Sequence, residues 1–164
     1  MLSHAEIGLR LIAGALLSAT IGYEREARAR AAGLRTHLLA GLSAATFMVL
    51  STEFTYWQGA SAAAKYTDPS RIAAAVVAGI GFLAGGAIFR EGMTVRGLTT
   101  AAGLWLVTAI GLCAGAGMFL TSGSVTLLGL FALAALRYLE DTREGRRLTV
   151  ELSSPLDDLA GLEQ

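Results

Sequence analysis

Two uncharged apolar runs joined by a short charged turn constrain this chain more than any other feature. From residue 72 to residue 89, and again from 97 to 117, there is no charged side chain. Only Arg90-Glu91-Gly92-Met93-Thr94-Val95-Arg96 separates the two runs. About 20 apolar residues cross the roughly 30 Å hydrocarbon core as a helix, because a helix satisfies its own backbone groups where no water can. The pair therefore reads as a transmembrane helical hairpin. Asp68-Pro69-Ser70-Arg71 predicts where its first helix starts, with Asp in a capping position and Pro at the first helical residue.

Composition agrees. Only 16% of the 164 residues are charged and 54% are hydrophobic, whereas a soluble domain of this size is about a quarter charged. The fold class expected is all-α: a polytopic membrane protein with five transmembrane helices and a parallel two-helix internal repeat. The helices are expected near residues 5–23, 34–51, 70–89, 97–118 and 123–145, the last extending into the cytoplasm. A membrane domain covers residues 1–147. Residues 148–164 form a cytoplasmic tail that alternates like a strand and then resembles a capped helix start. The first run ends in charges rather than in a small-residue cleavage site, so it reads as a span and not a cleaved leader. Tyr56, Trp57 and Tyr66 suit an interfacial aromatic belt.

The repeat rests on Gly33-Leu34-Arg35-Thr36 and Gly97-Leu98-Thr99-Thr100, each preceded by an Arg-Glu pair, Arg25-Glu26 and Arg90-Glu91. Two crossings lie between the copies, so both hairpins face the same way and an axis near the membrane normal relates them. Small residues let helices approach closely in lipid. Gly14 and Gly22, with Ser18 between them, and the pairs Gly81/Gly85 and Gly111/Gly115 are the candidate packing positions. More such surface exists than one monomer uses, which predicts a homodimer. Arginines 25, 28, 30, 35, 90, 96, 137, 143, 146 and 147 all fall on one side of the five crossings. The positive-inside rule then puts the N-terminus outside and the C-terminus in the cytoplasm.

No metal-ligand, triad or phosphate-loop motif is present. The chain reads as a non-enzyme with no cofactor, with no nucleic-acid signature and with metal ligands unassigned. Cys113 is the sole cysteine, which excludes an intrachain disulfide and CxxC chemistry. His37 reads as an interfacial residue. The charged turns carry more information. Glu24, Arg25, Glu26, Arg35, Asp68, Arg71, Arg90, Glu91 and Arg96 form the candidate functional and structural cluster. Carboxylates among arginines at a low-dielectric boundary need partners. The expectation is that Glu24 or Glu26 pairs with Arg90 or Arg96, and Glu91 with Arg25 or Arg35. The surplus of arginine points to an anionic ligand, most simply a lipid headgroup or phosphate. Glu6, one turn before Arg10, is a candidate partner for it, the alternative being that Arg10 snorkels to the outer surface. The predicted second to fifth helices hold no internal acid, which argues against a mid-membrane divalent-cation path.

Several separated motifs, in order, resemble the MgtC/SapB family of bacterial inner-membrane proteins. They are Glu24-Arg25-Glu26, Ala32-Gly33-Leu34-Arg35-Thr36-His37, Asp68-Pro69-Ser70-Arg71, Gly79-Ile80-Gly81-Phe82-Leu83 and Val95-Arg96-Gly97-Leu98-Thr99-Thr100-Ala101-Ala102, with Trp105. The resemblance covers residues 10–117. It implies a five-helix membrane domain, in many members followed by a cytoplasmic ACT-like domain, here truncated or absent. It implies a role in magnesium homeostasis and adaptation to low magnesium, in a family linked to the survival of intracellular pathogens. The best-described member binds and inhibits the membrane ATP synthase. The resemblance thus implies a non-enzymatic regulator of another membrane complex; the alternative is a small transporter or channel for magnesium or another ion.

Overall fold

The computed structural model describes residues 1–57, 68 and 70–134. Its elements are α1 (His4–Ala27), α2 (Leu34–Trp57), α3 (Ser70–Gly86), β1 (Phe89–Glu91), β2 (Thr94–Arg96) and α4 (Leu98–Gly115). A fifth helix, α5, covers Phe119–Ala134. The chain divides into two units, Met1–Gly129 and Leu130–Gln164. Of the second, residues 130–134 are described, as the end of α5. The expected tail at 148–164, the basic residues from 137 to 147 and Tyr66 of the aromatic belt lie outside the described residues.

The protein is all-α and membrane-like. Three helices are long and apolar enough to cross a bilayer: His4–Ala27, Leu34–Phe54 and Leu98–Gly115. α3 and α5 are shorter apolar helices. The 17 residues of α3 reach about 26 Å at a rise of about 1.5 Å each, slightly less than a bilayer core. Boundaries differ from the expected ones for local reasons. α1 continues to Ala27 because Glu24-Arg25-Glu26 are good helix formers and Arg25 is buried. α2 runs on to Trp57, which takes Glu53 into the helix. α3 ends at Gly86, and the expected tight turn is a two-stranded antiparallel hairpin pairing Phe89 with Arg96 and Glu91 with Thr94. Gly92, at φ 60°, opens its two-residue turn. α5 starts at Phe119, just after Gly117 at φ 81°.

Each start has a chemical cause. Ser3 Oγ accepts the Glu6 N–H at 3.2 Å to cap α1. Asp68 accepts the Ser70 N–H and hydroxyl, each at 2.9 Å, to begin α3 as expected. Gly97 begins α4 at φ 88°, and a Cβ there would strike the Ala87 carbonyl oxygen. Only glycine accepts both conditions.

α1 and α4 are antiparallel, and three polar contacts fix their register. Arg10 donates to the Gly115 carbonyl at 3.0 Å, Ser18 to the Val107 carbonyl at 3.4 Å, and Arg25 to the Thr100 hydroxyl at 3.4 Å. Eight residues and then seven forward along α1 are matched by eight and then seven backward along α4. α1 and α2 are also antiparallel, meeting through glycines. A Cβ on Gly14 would lie 2.7 Å from the Ala45 Cβ, and one on Gly22 2.8 Å from the His37 Cβ. α4 meets α2 at Gly111 and Gly115, beside Ala44 and Met48. Gly41 sits where all three helices converge: a Cβ there would overlap the Ser18 side chain, and one on Gly111 would strike the Gly41 carbonyl. Ser122, Thr126 and Gly129 form a small-residue stripe on α5, with Ser122 donating to the Ile110 carbonyl at 2.9 Å and Gly129 against Leu106.

Among the expected packing glycines, Gly14, Gly22, Gly111 and Gly115 meet a neighbouring helix, and Gly81 and Gly85 do not. A Cβ placed on either of these two, or on Gly79 or Gly86, would find nothing within 4 Å among the described residues. α3 contacts the bundle near its C-terminal end, through Ala84 beside Ala32, Ala101 and Leu104.

Candidate functional site

The polar centre of the bundle lies where α1, α2 and α4 meet near their charged ends. Arg25 is 5% exposed, His37 0% and Thr100 4%. The Arg25 guanidinium donates to the Thr100 hydroxyl at 3.4 Å, while its buried Nε–H has no acceptor among the described residues. His37 Nδ1 lies 2.9 Å from the Gly33 carbonyl, which can only accept, so this nitrogen carries the proton. His37 Nε2 is buried with no donor among the described residues, 3.2 Å from where a Gly103 Cβ would stand. An unused donor on Arg25 and an unused acceptor on His37 thus flank one face of α4, beside Thr100 and Gly103. Arg25 forms no ion pair among the described residues, and a buried arginine of this kind in a membrane-spanning helix is a candidate functional position.

The rest of the expected cluster is not gathered there. Glu24 pairs with Arg28 one turn on, at 2.7 Å, and its second oxygen is buried with no partner among the described residues. Glu26 accepts the Leu34 N–H at 2.7 Å and so caps α2. Glu91 faces Arg96 across the hairpin at 3.9 Å, with 80% and 75% of these side chains exposed. Arg90 donates to the Gly92 carbonyl at 3.1 Å. The expected pairing across the two repeats is therefore replaced by local pairs. The loop between α1 and α2 is short enough for Glu26 to reach a free helix N–H, and the strands turn Arg90 and Glu91 outward. Arg35 is exposed in the first turn of α2, with no ion pair among the described residues. Asp68 and Arg71 stand at the opposite end of α3 from the hairpin. The hydrogen bonds from Ser70, its hydroxyl first, hold the Asp68 carboxyl below its usual range.

Two groups differ from the sequence-based expectation. His37 is fully buried, not interfacial. Glu53 is a buried acid inside α2, 6% exposed, with one oxygen unpartnered among the described residues, which corrects the expectation of no internal acid. The candidate Arg10–Glu6 pair is present at 2.6 Å. It also places a cation at the C-terminal end of α4, where the helix dipole favours one. Among the described residues, no three of His, Cys, Asp and Glu come together in a way that could hold a metal ion.

A bundle of long apolar helices, tied together by glycine contacts and a buried arginine, is that of a polytopic membrane protein. Residues 11–142 match the model of the MgtC family, and the chain belongs to that family. It is 44% identical over 134 residues to Protein MgtC of Brucella suis, covering 81% of this chain and 52% of that protein. It is 46% identical over 129 residues to Protein MgtC of Salmonella typhimurium, covering 79% and 52%. It is 44% identical over 115 residues to the putative magnesium transporter YhiD of Escherichia coli, covering 70% and 53%. The chain therefore spans about half the length of these relatives. No solved structure matches it.

Proposed function

We propose that this chain is a non-enzymatic regulator in the bacterial inner membrane, tied to magnesium homeostasis, that acts by docking α3 against an apolar helix of another membrane complex. The family resemblance supplies the partner, the membrane ATP synthase. The names of the relatives, MgtC and putative magnesium transporter, support the link to magnesium. The arginine distribution supports an outside N-terminus and a cytoplasmic C-terminus.

The observation that carries the reading is the contrast between two sets of glycines. A glycine inside a helix costs about 1 kcal/mol relative to alanine. Gly14, Gly22, Gly111 and Gly115 offset that cost with contacts that no larger residue allows. Gly81 and Gly85, one turn apart, face open space, so their cost is offset by nothing described within the chain. An approaching helix would make use of them. The test is growth at low magnesium of a strain that depends on this chain. Gly81→Leu and Gly85→Leu should insert at normal levels and lose growth support. Gly8→Leu, at another open position, should keep it. Full growth of the α3 variants would sink the reading.

The transporter reading keeps one specific support, the buried Glu53 carboxylate in α2. Magnesium uptake into liposomes holding the purified chain, lost in Glu53→Gln, would establish it in place of the regulator.

A further inference from the structure

We propose that the groove between α2 and α3 holds one acyl chain of an anionic phospholipid, whose phosphate sits against Arg35. The groove is a cavity of about 700 Å³, and apolar side chains such as Leu39, Phe47, Ile72, Val76 and Ile80 make up most of its wall. That volume lies within the range of about 300–1,000 Å³ typical of small-molecule sites. Its α2 wall runs from Arg35 to Phe47, about 18 Å of helix at a rise of about 1.5 Å per residue. One leaflet of the hydrocarbon core is about 15 Å deep, half of about 30 Å. The groove is therefore one leaflet long, and it begins at the arginine-rich end of the bundle.

Charge decides which lipid. Among the described residues, Arg35 is the sole charged one on the wall. The acids near this end are otherwise engaged: Glu24 with Arg28, Glu26 with the Leu34 N–H, and Glu91 with Arg96. Arg35 also lies in the first turn of α2, at the end where the helix dipole favours an anion. A guanidinium presents a fork to a phosphate. The occupant is thus an amphiphile with one negative headgroup, not a free anion, because most of the site is apolar.

The test is native mass spectrometry of the full chain in mild detergent with equal amounts of phosphatidylglycerol and phosphatidylcholine bearing the same acyl chains. The wild type should retain phosphatidylglycerol over phosphatidylcholine by about fivefold, the effect of one basic residue at an anionic lipid surface. Arg35→Ala should remove that preference while phosphatidylcholine retention stays, and Arg35→Lys should keep most of it. Gly79→Leu, at an open position on the groove wall, should lower retention of both lipids, and Ala75→Leu should repeat the effect. Circular dichroism of each variant verifies its helices. An unchanged preference in Arg35→Ala, unchanged retention in both filled variants, or displacement of the lipid by millimolar inorganic phosphate would overturn the proposal.

Discussion

Arg25 donates to the Thr100 hydroxyl at 3.4 Å while its Nε–H, on a buried side chain, meets no acceptor among the described residues. The fold thus carries an ionic group that it does not fully satisfy. Replacing buried ionic groups by apolar ones of similar volume is often neutral or stabilising. Arg25→Met should therefore leave the melting temperature unchanged or raise it, while removing growth support at low magnesium. A clear drop in melting temperature would make Arg25 a structural residue. Thr100→Val takes away the one acceptor and should cost about 1–3 kcal/mol.

Glu26 holds the entry to α2 through its 2.7 Å acceptance of the Leu34 N–H. Glu26→Ala should cost about 1 kcal/mol, in line with other lost caps. At this chain length that is about 2–4 °C in a thermal melt. Arg90→Ala, whose side chain is exposed on the hairpin, should change the melt by less than about 0.5 kcal/mol.

The glycines separate into two classes under one substitution. Gly111→Ala would drive a methyl group into the Gly41 carbonyl, and Gly41→Ala would drive one into the Ser18 side chain. Each should cost more than about 2 kcal/mol, since close-packed backbones cannot give way cheaply. Gly81→Ala should be neutral or stabilising by about 0.5–1 kcal/mol, because its neighbourhood is open. Melts of the three variants in one detergent give the comparison directly.

These contrasts also show which parts of the molecule are legible in the sequence. Uncharged runs locate the apolar helices, and Asp68 and Ser70 mark the start of α3, because those signals are local. The Glu6–Arg10 pair is legible for the same reason. Which glycines meet a neighbour is not. Gly81/Gly85 and Gly111/Gly115 have the same spacing, but only α4 is enclosed by α1 and α2. A stripe on α4 that includes Thr100, Gly103, Val107, Gly111 and Ala114 recurs at helical spacing and is buried throughout. Because α4 is apolar all round, no hydrophobic periodicity in the sequence singles that face out or points to Thr100. The burial of His37 depends on Gly22 and Gly103, from two other helices, so no local pattern announces it. Glu53 escapes a reading by apolar runs because the polar residues around it end the run before the helix itself ends.

Ala29 adopts φ 52° just beyond α1, a left-handed conformation that favours glycine at helix ends. Ala29→Gly should stabilise the chain by about 0.5–1 kcal/mol. Thermal melting checks this, and a lower melting temperature would mean that the alanine methyl makes contacts outweighing the strain.

The central claim is that the open face of α3 meets a helix of another membrane complex. The most direct measurement places a photo-reactive benzoylphenylalanine at Phe82, which is 91% exposed, and irradiates cells growing at low magnesium. The expected product is an adduct with a membrane-sector subunit of the ATP synthase, lost when Gly81→Leu is added and absent when the probe replaces Leu16 on α1, itself 61% exposed. An adduct only with lipid or with a second copy of the chain, or one unaffected by Gly81→Leu, would contradict it.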